Sequence, residues 1–221
     1  MLFRSLPARN VFPTPDHLDD VQAAALGVNH LTAWRMVVSQ ARLQSWETVL
    51  IFGIGGGVSL AALQIARALG ARTLVTSRHA DKLERARALG ADIVIDSSRE
   101  DVAKAVMSHT AGRGVDVVIE NVGAAVWSSA LKSLVRGGRL VTCGATSGDQ
   151  PGADLRRLFI RQLQVLGSTL GSLHEMQDLL AFVTRHRLTP VMDQVFEMDA
   201  AHAALDRLDS GQQFGKVGLR L

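Results

Sequence analysis

The fold of this chain is decided by the stretch Glu47-Thr-Val-Leu-Ile-Phe-Gly-Ile-Gly-Gly-Gly-Val-Ser-Leu-Ala-Ala-Leu-Gln-Ile-Ala-Arg-Ala-Leu-Gly70. Its first part, residues 49–52, is a short apolar run that ends at a glycine, which is typical of a parallel strand covered on both faces. The later part places Val58, Ala61, Ala62, Ile65 and Leu69 at helical spacing, and Gly70 supplies a C-terminal stop. The stretch therefore predicts a strand, a glycine turn and a helix whose free backbone N–H groups would bind a pyrophosphate.

The composition is that of a globular protein. Hydrophobic residues make up 47% of the 221 residues and charged residues 20%, and no apolar run approaches the ~18 residues that a membrane span needs. The net charge is +3, and the basic residues are scattered apart from Arg156, Arg157 and Arg161. This favours a solvated basic face or a site for an anionic cofactor over a nucleic-acid surface.

A single cysteine, Cys143, allows neither a disulfide nor a cysteine-based zinc site within the chain. The histidines at 79, 109, 174 and 202 do not share a metal-ligand spacing. We therefore expect no metal site, and a cytoplasmic protein without a membrane or nucleic-acid partner.

Predicted strands and helices alternate over most of the chain. The strands fall at 49–52, 72–76, 92–95, 115–119, 139–143 and 164–168, and the helices at 58–69, 80–89, 101–109, 124–134, 155–161 and 174–186. This alternation predicts an α/β fold, a Rossmann-type doubly wound parallel sheet of about six strands with helices on both faces. Ligands of such sheets bind beyond the carboxyl ends of the strands.

Shorter segments flank this sheet. Residues 1–16 are turn-rich. The first nine lack acidic residues, as transit peptides do, but Pro13 and Pro15 follow soon after. We therefore interpret residues 1–16 as an extended opening segment. Helices are predicted at 18–26 and 31–43. After Pro190, strands at 194–197 and 216–219 around a helix at 200–208 predict a short C-terminal appendage.

The glycine turn matches the dinucleotide fingerprint only in part. Gly53 and Gly55 occupy its first two positions, but the third falls on Val58, and a shifted reading places Ser59 last. The context is stronger, because a strand precedes the turn, a helix follows it and a second strand comes about 20 residues later. A structural turn without a ligand is the alternative.

The tip of the second strand indicates which dinucleotide would bind. An NAD-preferring site places Asp or Glu there, whereas this chain has Ser77, Arg78 and His79, with no carboxylate before Asp81. The serine hydroxyl, the guanidinium and Lys82 suit a 2′-phosphate, which charge-assisted donors bind well. We therefore predict NADP(H) over NAD(H); a solvated charged helix start is the alternative.

Two other classes with a glycine turn fit less well. A class I methyltransferase normally has an acidic residue at the second strand tip, where Ser77 stands here. A short-chain dehydrogenase needs a Tyr-x-x-x-Lys pair, and this sequence contains no tyrosine.

Five runs follow one another along nearly the whole chain. They are Leu31-Thr-Ala-Trp34, Glu47-Thr-Val-Leu50, Gly55-Gly-Gly-Val58 with Gln64-Ile-Ala66, Leu89-Gly-Ala-Asp92, and Phe214-Gly-Lys216. As an ordered set they resemble the medium-chain dehydrogenase/reductase superfamily, with its zinc-type alcohol dehydrogenase and quinone oxidoreductase-like members closest. The resemblance departs at Ser59, where a glycine is common.

The resemblance also implies a domain organisation. Family members begin with a barrel-like catalytic domain, which carries the zinc ligands in zinc-dependent members, and this chain starts where that domain is followed by the nucleotide-binding domain. We therefore expect an opening segment with helices over residues 1–45 and a dinucleotide-binding Rossmann domain over 46–188. Residues 189–221 would be a return segment, a remnant of the catalytic domain.

The resemblance implies cofactor-binding residues at each strand tip. Those expected at the pyrophosphate are Gly55, Gly56, Gly57 and Val58, and those at the adenosine phosphate are Ser77, Arg78 and Lys82. Those expected near the ribose and nicotinamide are Asn121, Gly123, Cys143, Gly144, Ala145, Ser168, Thr169 and Leu170, with Phe214 and Lys216 closing from the tail. Thr32 is a candidate polar contact, with an ordinary first-turn threonine as the alternative. No residue is identified as catalytic.

Two functional hypotheses follow. The first is an NADP(H)-dependent oxidoreductase of the quinone reductase or alcohol dehydrogenase type, which would transfer hydride between the nicotinamide and a small quinone, enone, aldehyde or alcohol. The second is a truncated nucleotide-binding module that binds NADPH without turnover. The resemblance also suggests a homodimer through the edge strand 164–168, since an unpaired edge invites pairing.

Overall fold

The chain alternates between strands and helices, and the computed structural model describes residues 5–221; the first four residues of the predicted opening segment lie outside this range. The strands are β1 Thr48–Ile51, β2 Arg72–Ser77, β3 Ile93–Asp96, β4 Val115–Glu120, β5 Leu134–Thr142, β6 Gln164–Gly167, β7 Met192–Glu197 and β8 Lys216–Arg220. The α-helices are α1 Asp20–Leu26, α2 Asn29–Trp34, α3 Gly57–Ala68, α4 Ala80–Ala88, α5 Val102–His109, α6 Ala124–Ser133, α7 Leu155–Arg161, α8 Leu173–His186 and α9 Ala201–Asp209.

Six strands form one sheet in the order β3-β2-β1-β4-β5-β6. Every pairing in it is parallel. The chain winds outward from β1 to one side through β2 and β3, and then to the other side through β4, β5 and β6. The strand order therefore reverses between β1 and β4, which is where open α/β sheets bind ligands. The predicted doubly wound parallel sheet is confirmed.

Both faces of the sheet are covered by helices. Successive strand side chains point to opposite faces, so Val49 and Ile51 pack with α2, α3 and α8. Leu50 and Phe52 pack on the other face with α5 and α6. The four residues of β1 are all buried, which explains why its sequence is a continuous apolar run rather than an alternating one.

The predicted helix at 31–43 is different in the structure. The α-helical part ends at Trp34, and a π-helical segment continues over Arg35–Gln40. The N–H of Ala41 then donates to the carbonyl of Met36, five residues back, at 2.9 Å. Hydrophobic periodicity does not reveal this wider turn, which coincides with tertiary hydrogen bonds from Arg35 and Ser39 to Glu175.

Strand β5 begins five residues earlier than the predicted strand at 139–143. Val115 of β4 pairs with Leu134, and Val117 pairs with Arg139, so the residues between 134 and 139 bulge out of register. Gly137 and Gly138 lie in this bulge, and Gly137 has a φ of +76°, a conformation that favours glycine.

The C-terminal residues form a separate two-stranded parallel sheet of β7 and β8, with α9 between them in sequence. Arg207 of α9 donates to both carboxylate oxygens of Asp193, at 2.8 and 3.2 Å. The segment also contacts the glycine turn, because the N–H of Gly215 donates to the carbonyl of Gly55 at 2.9 Å. The division into domains at residues 45 and 188 stays a prediction.

Glu175 joins α8 to the segment that follows α2. Arg35 donates to one carboxylate oxygen at 2.7 Å and Ser39 to the other at 2.5 Å, while the N–H of Ser172 donates at 2.7 Å. Burial alone would raise the pKa of this carboxyl group. The hydrogen bonds outweigh burial and hold the pKa at about 2.

We predict that Glu175→Gln lowers the free energy of unfolding at pH 7 by about 1–3 kcal/mol, because it replaces a charge-assisted network with weaker bonds. The folded-state pKa lies below the ordinary 4.5, so this stabilisation is present above pH 4.5 and is lost as the pH falls toward 2. Urea unfolding at pH 7 and at pH 3 measures both effects. The control is Glu84→Gln, a carboxylate that is 68% exposed; identical losses in the two variants would contradict the prediction.

Candidate functional site

The glycine turn after β1 leads directly into the start of α3. Gly53 and Gly55 have φ values of +67° and +119°, which side chains rarely tolerate. The N–H of Ile54 donates to the carbonyl of Thr76 at 2.8 Å, which fixes the turn against β2. Gly56 is the N-cap of α3, and in the described chain no side chain caps this helix start. Its first N–H groups and the helix dipole therefore favour an anion here.

Side chains from distant parts of the sequence close on this turn. A Cβ on Gly55 would lie 2.8 Å from Cδ of Lys82, and one on Gly57 would lie 2.0 Å from Nδ2 of Asn29 and 3.1 Å from Cδ of Lys216. The turn thus brings together two residues of the predicted site, Lys82 and Lys216. Asn29 was not among the predicted residues, and only tertiary packing brings its amide to the start of α3.

Ser59 occupies the position where the fingerprint would have its last glycine. Its buried hydroxyl donates to the carbonyl of Phe52 at 2.8 Å and accepts a hydrogen bond from Nδ2 of Asn121 at 3.3 Å. The serine therefore links α3 to the ends of β1 and β4. Ser59 at this fingerprint position thus makes hydrogen bonds between these elements that a glycine could not make.

The predicted adenosine-phosphate residues lie at the tip of β2 and on the first turn of α4. Oγ of Ser77 accepts the N–H of His79 at 3.1 Å. Arg78 is exposed, and within residues 5–221 its side chain makes no hydrogen bond or ion pair. Lys82 is buried; its Nζ donates to the carbonyl of Gly211 at 2.6 Å, and burial lowers the pKa of its ammonium group. Arg78 is thus free to meet an anion, whereas Lys82 already has a partner.

A cavity of about 670 Å³ lies beyond the carboxyl ends of β1 to β4, within the roughly 300–1,000 Å³ of typical ligand sites. Four of the predicted residues line it, namely Gly56, Ser77, Arg78 and Lys82. The starts of α5 and α6 complete its walls, through residues such as Val102 and Ala125. A cavity of about 820 Å³ lies elsewhere, between residues 8–16 and α8. We take the smaller one as the candidate site because it opens at the point where the strand order reverses.

Buried Glu120 organises the tip of β4. Its carboxylate accepts the N–H groups of Val122 and, at 2.6 Å, of Gly123, and accepts the hydroxyl of Thr142 at 3.0 Å. Glu120 comes directly after the predicted strand at 115–119, and its position in the sequence does not indicate that it holds two strand tips together. Side-chain position, not residue spacing, reveals that role.

The loops after β4 and β5 pack closely together. A Cβ on Gly123 would lie 2.9 Å from Cα of Ala145, and one on Gly144 would lie 2.9 Å from the carbonyl oxygen of Asn121. The structure therefore brings together the predicted residues Asn121, Gly123, Gly144 and Ala145.

Cys143 lies in the same region and is half-buried. Burial, together with the charge of Glu120, raises the pKa of its thiol to about 11. The thiol is therefore protonated at neutral pH, which disfavours a nucleophilic role.

The remaining predicted residues are not in the described lining of the cavity. The hydroxyl of Thr32 donates to the carbonyl of Val28 at 2.7 Å and is buried. The N–H of Ser168 donates to the carbonyl of Thr142 at 2.8 Å, and Thr169 and Leu170 after it are exposed. Val58 is half-buried in the first turn of α3, and Phe214 is buried beside Gly55. The roles of these residues stay predictions.

Two features are not found in the part of the chain that the structure describes. No three His, Cys, Asp or Glu side chains lie close enough to hold a metal ion. Over the same residues 5–221, no helix has the length and apolar character to cross a membrane.

The comparison with known families agrees with this geometry. The family model described as "Zinc-binding dehydrogenase" matches residues 57–185, more than half of the chain. This chain belongs to the zinc-binding dehydrogenase family. The predicted resemblance to the medium-chain dehydrogenase/reductase superfamily is thereby confirmed.

Individual members of the family are similar over almost the whole chain. Quinone oxidoreductase of Rattus norvegicus is 31% identical over 217 residues, covering 95% of this chain and 65% of the rat protein. A solved NAD-dependent alcohol dehydrogenase is 39% identical with a TM-score of 0.92, covering 98% of this chain and 63% of that one. A 2-octenoyl-CoA carboxylase reductase, solved with NADP and 2-octenoyl-CoA, is 28% identical with a TM-score of 0.89, covering 96% and 52%. The chain thus spans less than two thirds of each of these family members.

We predict that Ser59→Ala destabilises the protein by about 1 kcal/mol, because the carbonyl of Phe52 and the amide of Asn121 both lose a partner. Thermal or denaturant unfolding measures the change. The control is Ser133→Ala, which removes an equally buried hydroxyl whose bond goes only to Ser129 of its own helix. If both variants lose the same stability, the link between α3 and the strand tips is not the source of the effect.

Proposed function

We propose that this chain binds NADP(H) and serves an oxidoreductase that transfers hydride between the nicotinamide and a small quinone, enone, aldehyde or alcohol. The observation that carries the proposal is the start of α3, where the described chain offers no side-chain cap, beside a cavity at the reversal of strand order. A pyrophosphate would occupy this helix start, and Gly55 and Gly56 allow its close approach.

The residues around the cavity suggest how the dinucleotide would lie. Its adenosine end would occupy the cavity beside Ser77 and Arg78, and its nicotinamide end would extend along the tips of β4, β5 and β6. Residues 121–123, 143–145 and 168–170 would border it there. This arrangement follows the general rule for open α/β sheets, in which the ligand crosses the carboxyl ends of the strands.

The preference for NADP(H) is supported by the charges near the adenosine end. Two carboxylates line the cavity, but both accept backbone N–H groups: Glu100 from Asp96 at 3.1 Å and Asp101 from Lys104 at 3.0 Å. Arg78 is exposed at the same edge. A 2′-phosphate would therefore meet an available guanidinium.

The cofactor and the chain would have different roles in the reaction. A bound nicotinamide would supply or accept the hydride. The residues of this chain would bind and orient it: the start of α3 would bind the pyrophosphate, and the hydrogen bond from Asn121 to Ser59 fixes the tip of β4. We assign no proton donor among them.

We predict that the purified chain binds NADPH at least tenfold more tightly than NADH, and that Arg78→Gln removes most of this difference, since one charge-assisted contact is worth about a factor of ten. Fluorescence or calorimetric titration measures the affinities. The control is Arg72→Gln at the opposite end of β2, where the side chain donates to the carbonyl of His109. Tighter binding of NADH by the unaltered chain would overturn the preference.

A turnover assay distinguishes the two hypotheses, an active oxidoreductase and a nucleotide-binding module without activity. The chain is mixed with NADPH and a simple quinone, and the loss of absorbance at the reduced nicotinamide is followed. We expect oxidation above the rate without protein. Tight binding without oxidation would instead support a module that holds the cofactor, and no binding of either nucleotide would refute both functions.

We further propose a homodimer through the edge strand, residues 164–168. In the described structure β6 pairs only with β5, and Val165 on it and Leu155 and Phe159 on the adjacent α7 expose large apolar side chains. An unpaired apolar edge of this kind invites pairing with a second copy.

We predict that Val165→Lys converts the dimer to a monomer, because a lysine on an edge strand opposes strand pairing. Light scattering after size-exclusion chromatography gives the mass of each species. Val195→Lys is the control, because Val195 is as exposed, at 42% against 41%, but lies on β7. A monomeric unaltered chain, or a Val165→Lys variant that stays dimeric, would contradict the proposed interface.

A further inference from the structure

The loop after β6, residues 168–172, connects the carboxyl edge of the sheet to α8. At its start the N–H of Ser168 donates to the carbonyl of Thr142, at the end of β5, at 2.8 Å. At its end Ser172 is the N-cap of α8, and its hydroxyl accepts the N–H of Glu175 at 3.2 Å. The loop is therefore fixed at both ends, by a neighbouring strand tip and by the first turn of α8.

The middle of this loop has a backbone conformation that needs support from its surroundings. Leu170 has a φ of +31°, which is unfavourable for a residue with a side chain, and its side chain is 44% exposed. Such a residue keeps its conformation only where the surrounding structure holds it, and such residues are concentrated at functional sites. The contacts made by the neighbours of Leu170 therefore decide where it lies.

Helix α2 packs against the loop at Gly171. A Cβ on Gly171 would lie 2.7 Å from Cδ1 of Leu31 and 3.4 Å from Oε2 of Glu175, so side chains of α2 and α8 fill the space beside it. Helix α2 in turn packs against α3. The position of the loop is therefore set relative to the helix whose start would bind the pyrophosphate.

An ion pair between Arg35 and Glu175 completes this contact. Nη1 of Arg35 lies 2.7 Å from Oε2 of Glu175, and the same oxygen accepts the N–H of Ser172 at 2.7 Å. The other oxygen accepts the hydroxyl of Ser39 at 2.5 Å. Arg35 and Ser39 lie on the π-helical segment, and segments of this kind are frequent at functional sites. The carboxylate of Glu175 thus connects the last residue of the loop to the segment after α2.

We propose that Arg35 and Glu175 are positioning residues for the nicotinamide half of the cofactor, because they hold residues 168–172 in place at the carboxyl edge of the sheet. The inference rests on the proposed function and extends it, since it gives a role in binding to two residues that are not in the described lining of the cavity. Neither would touch the cofactor. Without the ion pair the N–H of Ser172 would lose a fixed acceptor, and Leu170 would leave its unfavourable conformation.

The experiment compares NADPH with adenosine 2′,5′-bisphosphate, which carries the adenosine end of NADPH and lacks the nicotinamide half. We expect Arg35→Gln to weaken the binding of NADPH about tenfold and to leave the affinity for the bisphosphate unchanged in calorimetric titration. The reason is that the loop would border only the nicotinamide half. A variant that had merely lost stability would leave the ratio of the two affinities as it is in the unaltered chain.

Arg139→Gln is the matched control. Arg139 forms an ion pair with Glu47 at 2.6 Å, and the side chain of Glu47 is 11% exposed, as is that of Glu175. This pair lies toward the amino end of the sheet, so its loss should leave the ratio of the affinities unchanged. Arg35→Lys keeps the charge without the planar guanidinium group, and we expect it to recover part of the affinity for NADPH.

A second measurement uses the unaltered chain and applies even if Arg35→Gln does not fold. Hydrogen exchange at residues 168–172 should slow more when NADPH binds than when the bisphosphate binds. Equal slowing with the two ligands would contradict the inference, because the loop would then not respond to the nicotinamide half.

The outcomes separate this inference from the proposed function. If Arg35→Gln weakens both ligands equally, or if Arg139→Gln has the same effect on NADPH, the positioning role is overturned while nucleotide binding stands. An unaltered chain that binds NADPH no more tightly than the bisphosphate also overturns it. An unaltered chain that binds neither of these ligands nor NADH refutes the proposed function itself, and the inference with it.

Discussion

The structure depends on the glycine turn between β1 and α3. Between β1 and α3 the backbone passes through positive φ at Gly53 and Gly55, and the absence of Cβ atoms lets other segments approach it closely. Lys82 reaches the turn from α4, Asn29 from the start of α2, and Lys216 from β8. A single methyl group at Gly55 or Gly57 would displace these side chains. The same feature leaves the N–H groups of the helix start accessible to a ligand.

The candidate site is therefore a junction of the sheet and the C-terminal segment. The bond from Gly215 to Gly55 and the bond from Lys82 to Gly211 cross between these parts. The positive side chains around the neighbouring cavity of about 580 Å³ also come from both parts: Arg78 and Arg85 belong to the sheet side, and Arg207 belongs to the C-terminal segment. Arg85 and Arg207 thus contribute both to the contacts that hold the C-terminal segment and to the positive charge of the cavity that they line.

Buried polar groups fix the geometry around this junction. Ser59, Glu120 and Glu175 each join segments far apart in sequence, and each has hydrogen-bond partners in the structure. Burying a neutral polar group without a partner costs roughly 2–7 kcal/mol, and burying an unpaired carboxylate costs more. The need to pair these groups therefore specifies where the strand tips and helices lie. The apolar packing on both faces of β1 brings the elements together, and these polar links set their relative positions.

The sequence by itself determined the class of fold and indicated the place of the candidate site, because both inferences depend on local patterns. The buried run of β1, the glycines after it and the regular alternation of strands and helices predicted a doubly wound sheet with a ligand at its carboxyl edge. Only the tertiary structure decided which side chains meet there. Lys82 is bound to Gly211, 129 residues away, the amide of Asn29 lies at the start of α3, and Arg207 lines the same cavity as Arg78. These contacts join residues that no local pattern relates, since they arise from the packing of separate elements.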